Sequence, residues 1–463
     1  MSADQPTFDL LVRGCTALTG DPALGLVRDA VIGITGNSLS LVAPAADVRD
    51  RPLSARRTID GRGLLATPGF VNVHTHTVLT MARGMTEDLG FAPAYTPGVP
   101  HYGDVREEEA AALARLGALE LMTFGSTLIN DFYAHAHVTL PAIAELGLRV
   151  CSSAWIHDVD FDHVHEGVWR YDPKIGERSL RYGIEHAERW QGAFDGRTSV
   201  MFTPHAPDNC SRDFLRDVAE ASRRMDLRVM THLAQSRIEV AQVRRRDGMT
   251  PAELLDDVGL LNDRLIGAHC LVMTESDIAR CGAAGIFVAH CPKVNMTGGY
   301  LPMTSALRQA GAAIALGTDN MHGDMVEIMR WALASGRLQE AQVNDVWQAE
   351  DVFRMATLEG AAAMGRSADL GSLTPGKKAD LVLFDFRRPH LAPAFHPLGT
   401  LVHVGQGRDV STVIVDGRVV VENGHATLVD EERIIAEGAA AADAIWTRVT
   451  GRSPAIYGRP RFD

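Results

Sequence analysis

Between Gly69 and about Gly317, eight short apolar runs alternate with amphipathic helical stretches, and this alternation narrows the folds open to the chain. The runs are Phe70–His76, Ser126–Asp131, Leu148–Ile156, Ser199–Pro204, Leu227–His232, Leu265–His269, Ile286–His290 and Ala313–Asp319. Each is almost continuously apolar and rich in Val, Ile or Leu, the pattern of strands buried on both faces. Helical stretches such as Glu107–Met122, Asp213–Met225 and Glu275–Ala284 lie between them. Eight strand–helix units read as an α/β protein, a (β/α)8 barrel of the TIM type. A doubly wound open sheet is the alternative. A Gly-rich phosphate loop would favour it, and none follows the first strand.

The flanks have a different texture. Up to about Thr67 there are short strand-like runs and turns: Phe8–Arg13, Ala30–Ile34, Ser38–Val42 and Arg57–Ile59. From about Gly371 the pattern returns, and Asp416-Gly417 between apolar runs is a hairpin signal. The expected organisation is a small β-sandwich domain built from both chain ends, with the barrel inserted between them. Residues 1–67 and 367–429 form the two parts of that domain. Residues 68–366 form the barrel, and 430–463 a C-terminal helix and tail.

Polar residues end the apolar runs: His76, Asp131, His157, His205, His232, His269, His290 and Asp319. Barrel enzymes gather catalytic groups from several strand ends at one face. A single terminal histidine is more often structural. So many on one rim point to a site. Val73-His74-Thr75-His76 closes the first run, and histidines at i and i+2 on a strand share a face. Neutral imidazole is a common transition-metal ligand, so the pair makes half of a metal site. Two other H-x-H pairs, His135/His137 and His163/His165, lack such a setting.

Composition sets the outer bounds. The chain has 463 residues, 46% of them hydrophobic, and a net charge of −13, which argues against a nucleic-acid partner. No apolar run is long enough to span a membrane. The N-terminal Met1-Ser-Ala-Asp-Gln-Pro lacks a basic-then-apolar signal. Six cysteines include no C-x-x-C and read as reduced, buried thiols. These features lead us to expect a cytoplasmic protein without nucleic-acid or membrane partners.

The chain resembles the amidohydrolase superfamily, and within it the mononuclear aminohydrolases and chlorohydrolases, such as triazine hydrolases and the adenosylhomocysteine and guanine deaminases. The matching segments are Thr67-Pro-Gly-Phe-Val-Asn-Val-His-Thr-His, Thr203-Pro-His-Ala-Pro, Thr231-His-Leu-Ala, Gly267-Ala-His-Cys, Val288-Ala-His-Cys-Pro-Lys-Val-Asn-Met and Leu316-Gly-Thr-Asp. Gly371-Ser-Leu-Thr-Pro-Gly-Lys-Lys-Ala-Asp-Leu-Val also matches, so the resemblance spans nearly the whole chain.

The resemblance implies that His74, His76, His232 and Asp319 bind one divalent metal, Zn2+ first and Fe2+ second. It implies that His269 lies beside the metal as a catalytic group and that His205 contacts substrate. The donor chemistry agrees. Three imidazoles and a carboxylate suit Zn2+ and leave a place for water. The ion lowers that water's pKa from about 15.7 towards 7, and hydroxide then attacks a ring carbon, with Asp319 able to take the proton. Binuclear relatives commonly use a carboxylated lysine at the fourth strand. Here that segment is Met201-Phe-Thr-Pro-His205, and none of the four lysines lies at a strand end. Relatives are often dimers, so a homodimer or higher homo-oligomer is expected.

One departure stands out. Deaminases of this branch usually carry H-x-x-E at the fifth strand, where the glutamate protonates a ring nitrogen and shuttles a proton to the leaving amine. Here the segment is His232-Leu-Ala-Gln235, and an amide cannot act as a general acid. The substrate then needs no ring protonation, as when chloride leaves; or His205, His269 or Asp319 delivers the proton; or a different bond, such as a cyclic amide, is cleaved; or the replacement is silent. Gln235 is read as orienting substrate. Asn320, directly after Asp319, is similar to the asparagine of triazine chlorohydrolases and some cytosine deaminases, and that resemblance implies an N-heterocyclic substrate of triazine, pyrimidine, purine or pterin type. His290, His322 and Trp155 are further candidate substrate contacts, with Phe132-Tyr133 as stacking surfaces and Glu87-Asp88 on a covering loop.

The expected activity is metal-dependent displacement of an amine or halide from an N-heterocycle. The rivals are hydrolysis of a cyclic amide or urea C–N bond, and a barrel that binds without turnover.

Overall fold

The structure is a computed structural model that describes residues 7–89, 95–96, 98–320 and 322–451. The expected terminal tail beyond 451, the first six residues and Met321 lie outside the described residues.

Eight strands form one parallel sheet: Phe70–Thr75, Ser126–Tyr133, Arg149–Ile156, Thr198–Pro204, Val229–Leu233, Leu265–His269, Phe287–His290 and Ala313–Leu316. They pair in sequence order, each followed by helical chain that covers the sheet. The last strand end returns to the first. Asp319 N–H donates to the His74 carbonyl at 2.9 Å, and His76 N–H donates to the Asp319 carbonyl at 3.2 Å. Asn72 reinforces the seam, its Nδ2 donating to Thr318 Oγ1 at 2.7 Å and its Oδ1 accepting from Thr318 N–H at 3.1 Å. This is the mixed α/β architecture of a TIM-type barrel. Val73, Leu128, Met201, Met230 and Ile266 belong to one buried cluster with Ala361, Met364 and Leu370, which follow the last barrel strand.

Strand limits differ from the sequence reading by up to three residues, and the differences have causes. His76 lies one position past its strand, with φ −127° and ψ 85°. Asp319 lies three past its own and adopts φ 62°. The chain must turn at Gly317, where a Cβ would lie 2.9 Å from both the Cβ and the carbonyl oxygen of His74. A side chain there would push the first and eighth strands apart.

Both chain ends contribute to a nine-stranded sheet. The join is the antiparallel pair Leu64–Pro68 with Leu381–Asp385. Asp416 and Gly417, at φ 52° and 78°, make the expected two-residue hairpin between Val410–Val415 and Arg418–Glu422. Arg149, at the start of the third barrel strand, ties the two sheets together. Its Nε and Nη2 meet the Asp380 carboxylate at 2.9 and 3.0 Å, and Nη2 also meets Asp416 at 2.6 Å. A helix, Glu431–Thr450, packs back on the barrel, where the Trp446 indole donates to the Met81 carbonyl at 2.8 Å. Among the described residues no helix is long and apolar enough to cross a membrane.

Candidate metal centre and active site

His74, His76 and His232 offer ring nitrogens that all lie within 4.8 Å of one another. The His74 and His76 rings are 4.7 Å apart and nearly perpendicular, and the His74 and His232 rings 5.1 Å apart. Asp319 closes the group, with Oδ1 3.5 Å from His76 Nε2 and 3.8 Å from His74 Nε2. The structure thus brings together the four residues of the expected ligand set.

Backbone contacts choose the tautomers. His76 Nδ1 is 2.6 Å from the Phe132 carbonyl oxygen, and His232 Nδ1 is 2.7 Å from that of His205. A carbonyl only accepts, so each Nδ1 carries the proton and each Nε2 presents a lone pair. Outer hydrogen bonds of this kind orient metal-binding histidines. Both ring nitrogens of His74 are buried and lack a hydrogen-bond partner among the described residues. Leaving them so is costly unless an ion takes one of them.

Burial sets the charge state. It holds His74 and His232 well below the usual imidazole range, helped by the neighbouring histidines, and it lowers His76 against the pull of Asp319. Neutral imidazole is the ligand form. Burial raises the Asp319 carboxyl, with His76 acting against it. The donor set therefore fits a borderline-soft divalent ion.

Around this core lie the expected accessory groups. His269 stacks on His232 at 5.3 Å with planes 9° apart, and its Nε2 is 3.8 Å from Asp319 Oδ2. Its Nδ1 meets Asn295 Oδ1 at 3.0 Å, and burial lowers its pKa to about 4. The His205 ring is 4.9 Å from His232 and 4.6 Å from Trp155, which places both beside the centre. Phe132 packs within 5.3 Å of the His76 and His232 rings.

Gln235 is buried, and its Nε2 has no partner among the described residues. Asn320 is also buried, with Oδ1 unpartnered. His290 is fully buried, both ring nitrogens lack partners, and burial lowers its pKa to about 3. The described contacts of His322 are local, with Nδ1 3.3 Å from the Asn320 carbonyl. Glu87 is exposed and accepts from Gly84 N–H in its own turn. Asp131 serves the fold: its Oδ1 takes the Thr77 N–H and hydroxyl at 2.9 and 2.8 Å and so pins the turn after His76.

Sequence reasoning missed three groups. Cys291 offers a sulfur within 4.8 Å of His74 and Asp319 donors, as a thiol that burial pushes well up. Glu239 is fully buried and accepts the N–H groups of Ala234 and Gln235 at 2.9 and 2.7 Å, which holds the turn that carries Gln235. Its signal was present as Ser236-x-x-Glu239, a helix-start pattern. The third group is Asp208 with Asn209, behind His205.

The amidohydrolase family pattern matches residues 65–420, most of the chain. The chain belongs to the amidohydrolase family. This amidohydrolase is 37% identical over 440 residues to a 5-methylthioadenosine/S-adenosylhomocysteine deaminase of Pelotomaculum thermopropionicum, across 93% of this chain and 97% of that one. Its fold superposes on a zinc-bound adenosine deaminase of Xanthomonas campestris with a TM-score of 0.85, at 27% identity over 96% of this chain and 100% of the other. A triazine hydrolase of Arthrobacter aurescens gives a TM-score of 0.82 at 25% identity, over 94% and 99% of the two chains.

Proposed function

We propose that this amidohydrolase displaces the ring amine of a 5′-modified adenosine by water, with one divalent ion, Zn2+ first, held by His74, His76, His232 and Asp319. The observation that carries this reading is the cluster of three buried, neutral imidazoles around the Asp319 carboxylate, two of them turned by backbone carbonyls to offer Nε2. The ion supplies Lewis-acid activation of a water. The deaminase relative supports the choice of substrate.

The chain's own groups handle the protons. A C–O bond forms at the ring carbon and the C–N bond to the amine breaks. One proton of the water ends on the departing ammonia and the other on the ring nitrogen. Asp319 takes the first proton at a carboxylate oxygen. His269 Nδ1 donates to Asn295 Oδ1, so its Nε2, 3.8 Å from Asp319 Oδ2, presents a lone pair that can accept a proton beside it. His205 and Gln235 hydrogen-bond the substrate, Trp155 stacks near it, and Asn320, His290 and His322 shape the pocket. We assign the chain three parts on the boundaries expected from sequence, with the end sheet as a small sandwich domain. We assign a cytoplasmic homodimer or higher oligomer.

A second reading, displacement of halide, is favoured by one residue. Gln235 has no proton to give, and chloride needs none. Ammonia and chloride release from 5′-methylthioadenosine and from a chlorinated triazine separate the two. Ammonia from the nucleoside supports deamination. Chloride alone overturns it, and opening of a cyclic amide or urea in place of either would favour that rival.

A further inference from the structure

Behind His205 lies a buried polar network whose described donors and acceptors fit one assignment. Asp208 is fully buried, and its carboxylate receives the Tyr95 hydroxyl at 3.1 and 3.3 Å and the Trp169 indole N–H at 3.2 Å. With Asp208 ionised its carboxylate only accepts, and among the described contacts the Tyr95 proton goes to it. Tyr95 Oη must then accept from Asn209 Nδ2, which lies 2.6 Å away. The Trp169 N–H, a donor only, also lies 3.2 Å from Asn209 Oδ1, which independently sets the same amide orientation. Asn209 Nδ2 is also 2.8 Å from His205 Nδ1. An amide nitrogen donates, so His205 Nδ1 accepts and carries no proton. A ring whose Nδ1 accepts is neutral and carries its proton on Nε2.

We propose that Asn209 is a positioning residue that locks His205 in the Nε2–H tautomer, so that His205 offers an N–H donor to an acceptor atom of the substrate. This is the opposite tautomer to that of His76 and His232, whose Nδ1–H groups face carbonyls. The contrast separates ligands from recognition group: a ring whose Nδ1 is occupied and whose Nε2 is protonated has no lone pair for an ion. His205 thus acts twice, its carbonyl fixing His232 and its ring reading the substrate. The inference deepens the proposed function and rests on its placement of His205 against substrate.

The test is a long-range proton–nitrogen correlation spectrum of 15N-histidine-labelled zinc-loaded protein, with His205 assigned by its loss in His205→Gln. The expected spectrum shows a neutral His205 ring protonated at Nε2. Asn209→Asp replaces the donor by an acceptor. It should move the proton to Nδ1 or add a second one, and raise KM for 5′-methylthioadenosine about 10–100-fold with a smaller change in kcat and unchanged zinc content. Tyr95→Phe and Trp169→Phe each leave one restraint on the amide and should keep the tautomer. The double variant should mix the two forms, which gives a reading even if Asn209→Asp fails to fold. Protonation at Nδ1 in the wild type overturns the proposal. So does an unchanged His205 ring and KM in Asn209→Asp. The tautomer is read without turnover, so an Nε2–H ring in a protein inactive on the nucleoside would uphold the positioning and sink only the substrate assignment.

Discussion

The ring of His232 is fixed by the backbone of His205: Nδ1 of the one donates to the carbonyl oxygen of the other across 2.7 Å. Strand pairing brings the two together, since His232 N–H also donates to that carbonyl at 3.1 Å. The Nε2 lone pair is therefore aimed by the main chain alone. His232→Ala should lose most bound zinc, read by elemental analysis of dialysed protein. His232→Ala holding as much zinc as wild type would remove it from the ligand set.

His269 stacks on His232 but lies outside the group of converging donor atoms. His269→Ala should keep its metal and turn over roughly 10²–10⁴-fold more slowly. Metal content and kcat on one preparation check this, and a metal loss equal to that of His232→Ala would make His269 a ligand.

Gln235 stands one turn before Glu239, which holds its backbone N–H. Gln235→Glu places a carboxyl where the amide Nε2 is now buried without a partner among the described residues. It should increase turnover of aminated heterocycles and add an acidic limb to the pH profile at the new group's pKa. A profile and rate identical to wild type would show that the proton travels entirely through Asp319 and its neighbours.

His186 offers a test of acid stability away from the site. It is 3% exposed on the helix Pro173–Trp190, its Nε2 is 3.0 Å from Ser152 Oγ, and burial lowers its pKa to about 4. The fold binds it neutral while the unfolded chain protonates near pH 6.5. Its contribution is intact above pH 6.5 and is lost as the pH falls towards 4. Between pH 7.5 and 5 the wild type should lose on the order of 2 kcal/mol more stability than His186→Gln, measured by denaturant unfolding. Equal losses would contradict the assignment.

The barrel was legible because strands buried on both faces must be apolar throughout, and such runs stand out between amphipathic helices. The four residues gathered at the candidate metal centre were legible through their motifs. Strand ends were less so. The run Ala313–Asp319 looks continuous, yet the strand stops at Leu316 because Gly317 must pass against His74. Asp131 ends its run as the catalytic candidates do, and only the fold shows that it holds Thr77. The Tyr95–Asp208–Asn209 network was invisible: its members come from two loops 113 residues apart, with no periodicity to join them. Cys291 was read only as a buried thiol because nothing in sequence brings it to His74.

If one metal ion serves a deamination, a zinc titration of metal-stripped protein reads both the ion count and the reaction at once. Ammonia release from 5′-methylthioadenosine should rise with added zinc and level off at about one ion per chain. A plateau at two ions, or no ammonia at any zinc level from a protein that binds one, would contradict the account.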